Sequence, residues 1–216
     1  MKRKSIGIIG LGRFGGTLAK QVTGLGHEVY GVDRDEKVVQ KIAPYIAQSV
    51  IADFTDEDTV RQLHLETLDV VVIAIGEDMN AKLLTAMVLQ EIGCPFIVAK
   101  ASTAIESKLL KKVGVDLIVY PEMDMAERVA QMLTGDHIVD YFQLSKDIGI
   151  VEIRTPEFMV NKNLKELELR KQYGVNVVAL KRDNQVIATP DPNDRLRATD
   201  MLIVIGRNEE ITKLGQ

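Results

Sequence analysis

The chain has 216 residues, 46% of them hydrophobic and 27% charged, a balance typical of a globular protein with one large domain or two smaller ones. Its 27 basic and 31 acidic residues give a formal net charge of -4 without a basic block, so composition does not predict nucleic-acid binding. No stretch reaches the roughly 18 apolar residues of a membrane-spanning helix, no signal peptide is predicted, and a single cysteine excludes an internal disulfide. We therefore expect a cytoplasmic protein that reaches any membrane through a partner.

The first 120 residues alternate short β-branched runs with segments whose apolar residues recur every three or four positions. This rhythm predicts βαβ units that build a parallel sheet. The run 70–75 is apolar without alternation and should be a central strand buried on both faces. The predicted strands are 5–9, 28–33, 48–52, 69–75, 96–99 and 116–120, and the predicted helices are 14–25, 35–42, 56–63, 80–92 and 105–113. Together they make a Rossmann-type doubly wound parallel sheet.

The pattern changes after residue 120. Residues 121–133 predict a helix with proline at its first position, and Gly135 is a plausible stop just beyond it. The remainder predicts a small α+β C-terminal module with strands at 149–154, 176–181, 185–189 and 201–205, a helix at 164–172 and a turn at 182–184. We therefore divide the chain into a Rossmann domain at 1–120, a linking helix at 121–135 and an α+β module at 136–216.

Residues 10–15, with the sequence GLGRFG, form a G-x-G-x-x-G motif between the first predicted strand and the first predicted helix. Gly10 permits a tight turn, Gly12 lets the backbone approach a diphosphate, and Gly15 lets the helix pack closely on the strand. The amides at the start of the helix attract phosphate. Alone, the motif is a weak signal, because a glycine-rich turn can be purely structural.

Asp33 ends the second predicted strand 18 residues after Gly15, where a carboxylate can accept both hydroxyls of an adenosine ribose. It would also repel a 2'-phosphate, which disfavours NADP even though Arg34 follows. The motif and Asp33 together predict a bound adenine nucleotide. They do not choose between ATP, ADP and NAD(H), which share adenine, ribose and diphosphate.

Arg13 lies inside the glycine motif, and its guanidinium suits the γ-phosphate of ATP, a charge that a dinucleotide lacks. The alternative is a solvated arginine on the first turn of a helix. Asp53 follows the third predicted strand, where it could accept the adenine amino group or cap a turn before Asp56.

The chain offers no convincing catalytic group. His27, His64 and His137 are each better explained as solvated or structural residues, and no G-x-S-x-G, C-x-x-C, H-E-x-x-H or Walker A pattern occurs. The residues therefore predict a nucleotide sensor and not an enzyme. A small NAD(H)-dependent oxidoreductase or redox sensor is the alternative.

Several segments together resemble the KTN/RCK (TrkA-type) family, and more narrowly the regulatory subunits of bacterial Ktr potassium uptake systems. They are residues 10–16, Asp33, 72–76, 98–101 and 121–126, together with the C-terminal module. The resemblance covers essentially the whole chain in the same order. It implies a nucleotide-binding RCK-N domain at 1–120, a linking helix and a regulatory or dimerisation RCK-C module at 136–216. It further implies a cytosolic gating subunit, switched by ATP versus ADP, at the inner face of the cell membrane.

The resemblance also assigns roles to individual residues. Arg13 would reach the γ-phosphate bound by a neighbouring subunit, and Glu122 would help hold a divalent cation, Mg2+ or Ca2+, near that phosphate. Without the resemblance, Glu122 is well explained as a favourable charge at a helix start. The candidate cofactor-binding residues of the first domain are Gly10, Gly12, Arg13, Phe14, Gly15, Asp33, Arg34, Asp53, Gly76 and Lys100.

In the C-terminal module, residues 170–174, with the sequence RKQYG, match a family stretch whose arginine lies near the phosphates of cyclic di-AMP. Arg170 is therefore a candidate contact for that ligand, or else an exposed residue in the last turn of a helix. By the same resemblance, the chain should form homodimers that assemble into an octameric ring beneath a membrane potassium-transporting subunit.

Overall fold

The computed structural model describes residues 2–135 and 137–214. The chain divides into two compact units, the first ending at Met123 and the second beginning at Asp124. Among the described residues, no helix combines the length and the apolar character that crossing a membrane requires.

The first unit contains a six-stranded parallel sheet with the strand order β3-β2-β1-β4-β5-β6. The strands are β1 (Ser5–Ile9), β2 (Glu28–Asp33), β3 (Gln48–Ile51), β4 (Val70–Ile73), β5 (Ile97–Lys100) and β6 (Leu117–Val119). This order reverses between β1 and β4, as in the doubly wound Rossmann arrangement. The fold class predicted from the sequence is confirmed.

Helices cover both faces of the sheet. They are α1 (Arg13–Gly24), α2 (Glu36–Ile42), α3 (Glu57–Gln62), α4 (Met79–Glu91) and α5 (Ala104–Lys112), with short 3-10 turns at Ala43–Tyr45 and Leu65–Thr67. Apolar side chains of α1 and α2 pack on one face of the sheet, and those of α3, α4 and α5 pack on the other. The central strand β4 is therefore enclosed on both sides, as its unbroken apolar run predicts.

The start of α1 differs from the starts of the other four helices. A side chain accepts a hydrogen bond from the first-turn amides of α2, α3, α4 and α5, and these caps are Asp35, Asp56, Asp78 and Thr103. The residue before α1 is Gly12, which has no side chain to do this. The first-turn amides of α1 are consequently left available to an anion.

The helix α6 (Pro121–Thr134) begins in the first unit and continues into the second. The second unit contains a five-stranded antiparallel sheet with the order β10-β9-β11-β8-β7. Its strands are β7 (Ile138–Gln143), β8 (Ile148–Arg154), β9 (Asn176–Arg182), β10 (Gln185–Ile187) and β11 (Met201–Arg207). The predicted turn at 182–184 is a tight hairpin in which Asp183 and Asn184 both have positive φ.

Three elements of the second unit differ from the prediction. The strand β7 and the helix α9 (Asn208–Leu214) were not expected, and the helix expected at 164–172 is two short helices, α7 (Leu164–Leu167) and α8 (Leu169–Tyr173). Between them Glu168 adopts a left-handed conformation with φ 41°. A further short 3-10 turn lies at Glu157–Met159.

Candidate functional site

The pairing register aligns the carboxyl ends of four neighbouring strands of the first unit. The residues next to the paired ends of β2, β1, β4 and β5 form one transverse row, which runs through Asp33, Gly10, Ala74 and Lys100. With strands about 4.8 Å apart, Gly10 and Lys100 are separated by roughly 10 Å. The row crosses the point between β1 and β4 where the strand order reverses, which is where open α/β sheets bind ligands. Three of the sequence-predicted residues are thus brought to one edge of the sheet.

The three glycines of the turn are required for different reasons. Gly10 has φ +93°, and an added Cβ would lie 2.9 Å from the carbonyl carbon of Ala74. A Cβ on Gly15 would lie 1.9 Å from the carbonyl oxygen of Gly10. A Cβ on Gly12 would meet nothing within 4 Å. The fold therefore needs Gly10 and Gly15, whereas the open space beside Gly12 fits the close approach of a ligand.

Asp33 is buried at the end of β2 and holds the glycine turn in place. Its Oδ2 accepts a hydrogen bond from the amide of Leu11 at 2.7 Å, and its Oδ1 accepts one from the amide of Asp35 at 3.0 Å. A carboxylate has about four acceptor sites, so these two amides leave capacity for ribose hydroxyls.

Lys100 and Glu122 form an ion pair at the same edge. The side chain of Lys100 is 12% exposed and that of Glu122 is 67% exposed. Lys100 lowers the pKa of Glu122 by donating a hydrogen bond to it, and the charge of Arg13 lowers this pKa further. Arg13 is exposed as the first residue of α1, and Phe14 is half-buried against the core between the sheet, α1 and α2.

The remaining candidates of the first unit lie in the turns after β2, β3 and β4. Asp53 Oδ1 accepts hydrogen bonds from the amide of Thr55 at 2.9 Å and from its hydroxyl at 2.7 Å, and these bonds lower the Asp53 pKa. The side chain thus caps its own turn, and the position relative to β3 keeps it at the same edge as Asp33. The Arg34 guanidinium lies 6.0 Å from the ring centre of Phe54. Gly76 is exposed, two residues beyond Ala74.

No three His, Cys, Asp or Glu side chains in residues 2–135 and 137–214 are grouped so that they could hold a metal ion. Glu122 belongs to no such group in the described residues, and its carboxylate stays a candidate ligand. A single carboxylate fits Mg2+, which is commonly held by one or two carboxylates together with water and the phosphates of a nucleotide.

A second ion pair lies beside this edge and was not found from the sequence. The side chain of Lys82 in α4 is fully buried, and its Nζ lies 3.2 Å from Oε2 of Glu106 in α5. The same Oε2 accepts a hydrogen bond from the amide of Ser102 at 2.7 Å. Burial raises the pKa of Glu106, but the Ser102 amide and Lys82 outweigh it and leave the pKa lowered, with help from the charge of Lys100.

The spacing of apolar residues in α4 is a sequence signal for the buried position of Lys82. The residues of α4 that are buried recur at three- and four-residue spacing, and Lys82 falls on this apolar stripe. A lysine on a buried stripe requires a carboxylate partner, which only the tertiary structure identifies.

Arg170 lies in the second unit, exposed on α8. It lines a cavity of about 370 Å3 between α7, α8 and β9. The other lining residues are Leu164, Lys165, Glu168, Leu169, Lys171, Val175, Asn176 and Val177. The lining combines the cationic side chains of Lys165 and Arg170 with an ion pair between Lys171 and Glu168.

The strand order, the glycine turn and Asp33 place the first unit in the class of Rossmann-type α/β domains, here followed by an antiparallel module. The sequence matches the TrkA-N domain over residues 6–121 and the TrkA-C domain over residues 149–215. The chain belongs to this family, and the resemblance described from the sequence is confirmed.

Two relatives match nearly the whole chain. The chain is 39% identical over 211 residues to Ktr system potassium uptake protein C of Bacillus subtilis (strain 168), which covers 98% of this chain and 96% of the relative. It is 35% identical to Ktr system potassium uptake protein A of the same organism, over 99% of this chain and 96% of the relative. The GsuK RCK domain superposes with a TM-score of 0.68 at 16% identity, over 99% of this chain and 47% of that one, and thus shares the fold.

Proposed function

We propose that this chain is the nucleotide-sensing regulatory subunit of a potassium uptake system, switched by ATP versus ADP. Its full-length likeness to the Ktr system potassium uptake proteins A and C supports the potassium transport role. With its partner, the chain would act at the cytoplasmic face of the cell membrane.

One observation carries the nucleotide part of the proposal: the uncapped start of α1 lies two residues beyond Gly10, which shares a row with Asp33 and Lys100. The free first-turn amides suit a diphosphate, Asp33 suits the ribose that joins it to adenine, and Lys100 lies where the phosphate chain would extend across the crevice. Gly10, Gly12 and Gly15 let the backbone approach, and Arg34, Asp53, Phe14 and Gly76 complete the rim.

Discrimination between ATP and ADP must come from groups that meet the third phosphate, because the two ligands share every other contact. Lys100 is paired with Glu122, and the charge of Arg13 also lowers the pKa of Glu122. Arg13 and Lys100 would bind phosphate oxygens, and Glu122 would supply a ligand to Mg2+ or Ca2+. NAD(H) shares the diphosphate and the ribose, but has no third phosphate to engage these charges.

We propose that the working unit is a homodimer, assembled into an octameric ring beneath the membrane subunit. Exposed apolar side chains on α6 support a second copy as the partner, since a monomer would leave them in water. They are Met123, Met125, Val129, Met132 and Leu133. Within such a dimer, Arg13 would act on the nucleotide of the neighbouring subunit.

The test compares Asp33→Ala and Arg13→Ala with the parent. Calorimetry with ATP, ADP and NADH should show that Asp33→Ala weakens all three, because ribose recognition is shared. Arg13→Ala should keep ADP affinity and lose about 10- to 100-fold in ATP affinity, as expected for one hydrogen bond to a charged phosphate. Potassium flux through the reconstituted membrane complex should then no longer differ between ATP and ADP. An Arg13→Ala protein that keeps the full ATP-over-ADP difference in flux would refute the sensor.

The cavity beside Arg170 supports cyclic di-AMP as a second ligand of this chain. Arg170 and Lys165 would neutralise its phosphates, and Asn176 could hydrogen-bond an adenine edge. Arg170→Ala should abolish cyclic di-AMP binding in calorimetry while leaving ATP binding unchanged. Equal cyclic di-AMP affinity in parent and variant would remove the cavity as its site.

A further inference from the structure

The first unit has a cavity of about 440 Å3 between α1 and α2, on the sheet face opposite α3, α4 and α5. Its charged lining residues are Arg13, Lys20 and Lys41, and none of the described residues that line it is acidic. Arg13 is also a candidate contact for nucleotide. Lys20 and Lys41 belong neither to the candidate nucleotide site nor to the cavity beside Arg170, and they give the cavity between α1 and α2 a positive charge of its own.

The three cations of this cavity have no carboxylate partner within the part of the chain that the structure describes. None of them is a member of an ion pair. The helix α1 contains no acidic residue, and Glu36, the acidic residue of α2, accepts a hydrogen bond from Gln40 at 2.9 Å. In a chain with a formal net charge of -4, the cavity is therefore a local region of positive potential.

The floor of the cavity is apolar and closely packed. Leu11 and Ile42 are buried there, and Val38 is half-buried. A Cβ on Gly16 would lie 2.8 Å from the carbonyl oxygen of Leu11 and 3.0 Å from Cδ1 of Ile42, so α1 packs against this floor as closely as a glycine allows. A low-dielectric surface beneath cations of one sign strengthens their attraction for an anion.

The cations lie at separate points on the two walls of the cavity. Lys20 follows Arg13 by seven residues in α1, which places its backbone about 10 Å farther along the helix axis. Lys41 lies in the last turn of α2. The Nζ atom of Lys20 is 3.9 Å from the ring centre of Tyr45, a contact that orients the ammonium group and leaves its charge in place. A compact anion cannot contact points this far apart, whereas several linked or adjacent phosphate groups can.

We propose that the cavity between α1 and α2 is a binding site for a polyanion made of phosphate groups. Lys20 on one wall and Lys41 on the other bind phosphate oxygens through charge-assisted hydrogen bonds, and the ligand covers the apolar floor. Free polyphosphate and the headgroups of neighbouring anionic lipids share this chemistry. The site is additional to the nucleotide site of the proposed function and does not depend on it.

The first arm of the test uses inorganic tripolyphosphate as a free ligand. Calorimetry is done in EDTA with saturating ADP, so that a nucleotide site is already filled. Lys20→Met and Lys41→Met should each weaken tripolyphosphate binding about 10-fold or more, as expected for loss of one hydrogen bond to a charged group. Lys41→Arg keeps the charge and should retain binding. Lys108→Met removes the same charge from an exposed position on α5, at the other face of the sheet, and should bind as the parent does.

The second arm uses lipid vesicles with the same variants. If lipid headgroups are the source of the phosphate, the parent should co-sediment with vesicles of phosphatidylglycerol and not with vesicles of phosphatidylcholine. Lys20→Met and Lys41→Met should then reduce this retention, and Lys108→Met should not. If the source is a free polyphosphate, tripolyphosphate binds and the vesicles do not retain the protein.

The proposal is overturned if the parent binds neither tripolyphosphate nor phosphatidylglycerol vesicles. It is also overturned if either Lys20 or Lys41 can be replaced by Met without loss, or if Lys108→Met loses as much, because the lysines are then part of a solvated basic face. ADP affinity should be that of the parent in both lysine variants. Joint loss of ADP and tripolyphosphate binding would instead assign these lysines to the nucleotide site and refute a separate cavity. A parent that binds tripolyphosphate but not ADP would count against the proposed function alone.

Discussion

Replacing Lys82 by Met should destabilise the first unit, because it removes the cation that faces the Glu106 carboxylate. Lys82 is fully buried and the side chain of Glu106 is 15% exposed. Removal of one partner from a buried ion pair costs about 3–5 kcal/mol, because the remaining charge is left uncompensated. The Ser102 amide still donates to Glu106 at 2.7 Å, so we expect the lower end of this range, about 3 kcal/mol.

The matched control is the double variant Lys82→Met, Glu106→Gln. Glutamine keeps an acceptor for the Ser102 amide and carries no charge, and neutral replacement of both members of a buried pair is often tolerated. The double variant should therefore recover most of the loss and lie within about 1 kcal/mol of the parent.

Urea unfolding followed by far-UV circular dichroism measures both changes, since the chain contains no tryptophan for fluorescence. The single variant should shift the midpoint of the first unit downward by roughly 1–3 M at an unchanged slope. A single variant within 1 kcal/mol of the parent, or a double variant no more stable than the single one, would show that Lys82 is not a buried, paired charge.

Two further predictions concern the glycine turn and the cysteine. Gly12→Ala should melt like the parent but bind ATP weakly in calorimetry. The Cβ of Gly15→Ala would lie 1.9 Å from the Gly10 carbonyl oxygen, so this variant should lose about 1–3 kcal/mol or more of unfolding free energy. Equal melting of both variants would contradict this geometry. Burial, and then the charge of Glu66, raise the pKa of Cys94 from about 9 to about 11. The contribution of the protonated Cys94 thiol to the free energy of unfolding should therefore be complete below pH 9 and decline as the pH rises through 11. At pH 8 a disulfide reagent should modify Cys94 only after unfolding. Rapid modification of the native protein would be evidence against burial.

The parallel sheet could be predicted because its strands are local signals. Each is a short apolar run bounded by glycine or polar residues, and capping residues such as Asp35 and Thr103 mark the helix starts. The central strand was predicted to be longer, at 69–75, than the observed Val70–Ile73. Ala74 and Ile75 are buried and apolar, but β1 ends at Ile9, so the strand pairing stops where the crevice opens.

The break between α7 and α8 could not be read from helical periodicity. Leu167 and Leu169 are each 5% exposed, and both pack in the core of the second unit. Residues two apart on a continuous helix point about 200° away from each other and cannot both face the same core. Packing therefore interrupts the helix, and Glu168 takes the left-handed conformation although it is not glycine.

The strand β7 and the helix α9 depend on tertiary contacts for a similar reason. Only Tyr141 of β7 is fully buried, so alternation along the strand is weak. The helix α9 has seven residues, too few to be stable alone, and Ile211 and Leu214 anchor it on the core of the second unit. Neither element carries a strong local signal.

The candidate site shows the same difference between features with a local sequence signal and features that depend on tertiary contacts. The glycine motif and Asp33 were identifiable because backbone conformation and residue spacing fix their roles. The partners of the charged residues were not identifiable, because ion pairs such as Lys100 with Glu122 join segments that are 22 residues apart in the chain. The resemblance named Lys100 as a cofactor-binding candidate and Glu122 as a cation ligand, without indicating that the two side chains form an ion pair.

On the proposed function, the Lys100–Glu122 pair bears on how the third phosphate of ATP could affect the rest of the chain. A ligand shifts a conformational equilibrium only by its differential affinity for the two states, and ATP differs from ADP only by that phosphate. Lys100 is paired with Glu122, the second residue of α6, so a phosphate that binds Lys100 would also meet this carboxylate. Because α6 begins in the first unit and continues into the second, Glu122 lies on the element that connects them. On the proposed function, a variant that removes this pair, such as Glu122→Gln, should therefore change how the second unit responds to ATP. It should leave adenine and ribose recognition unchanged.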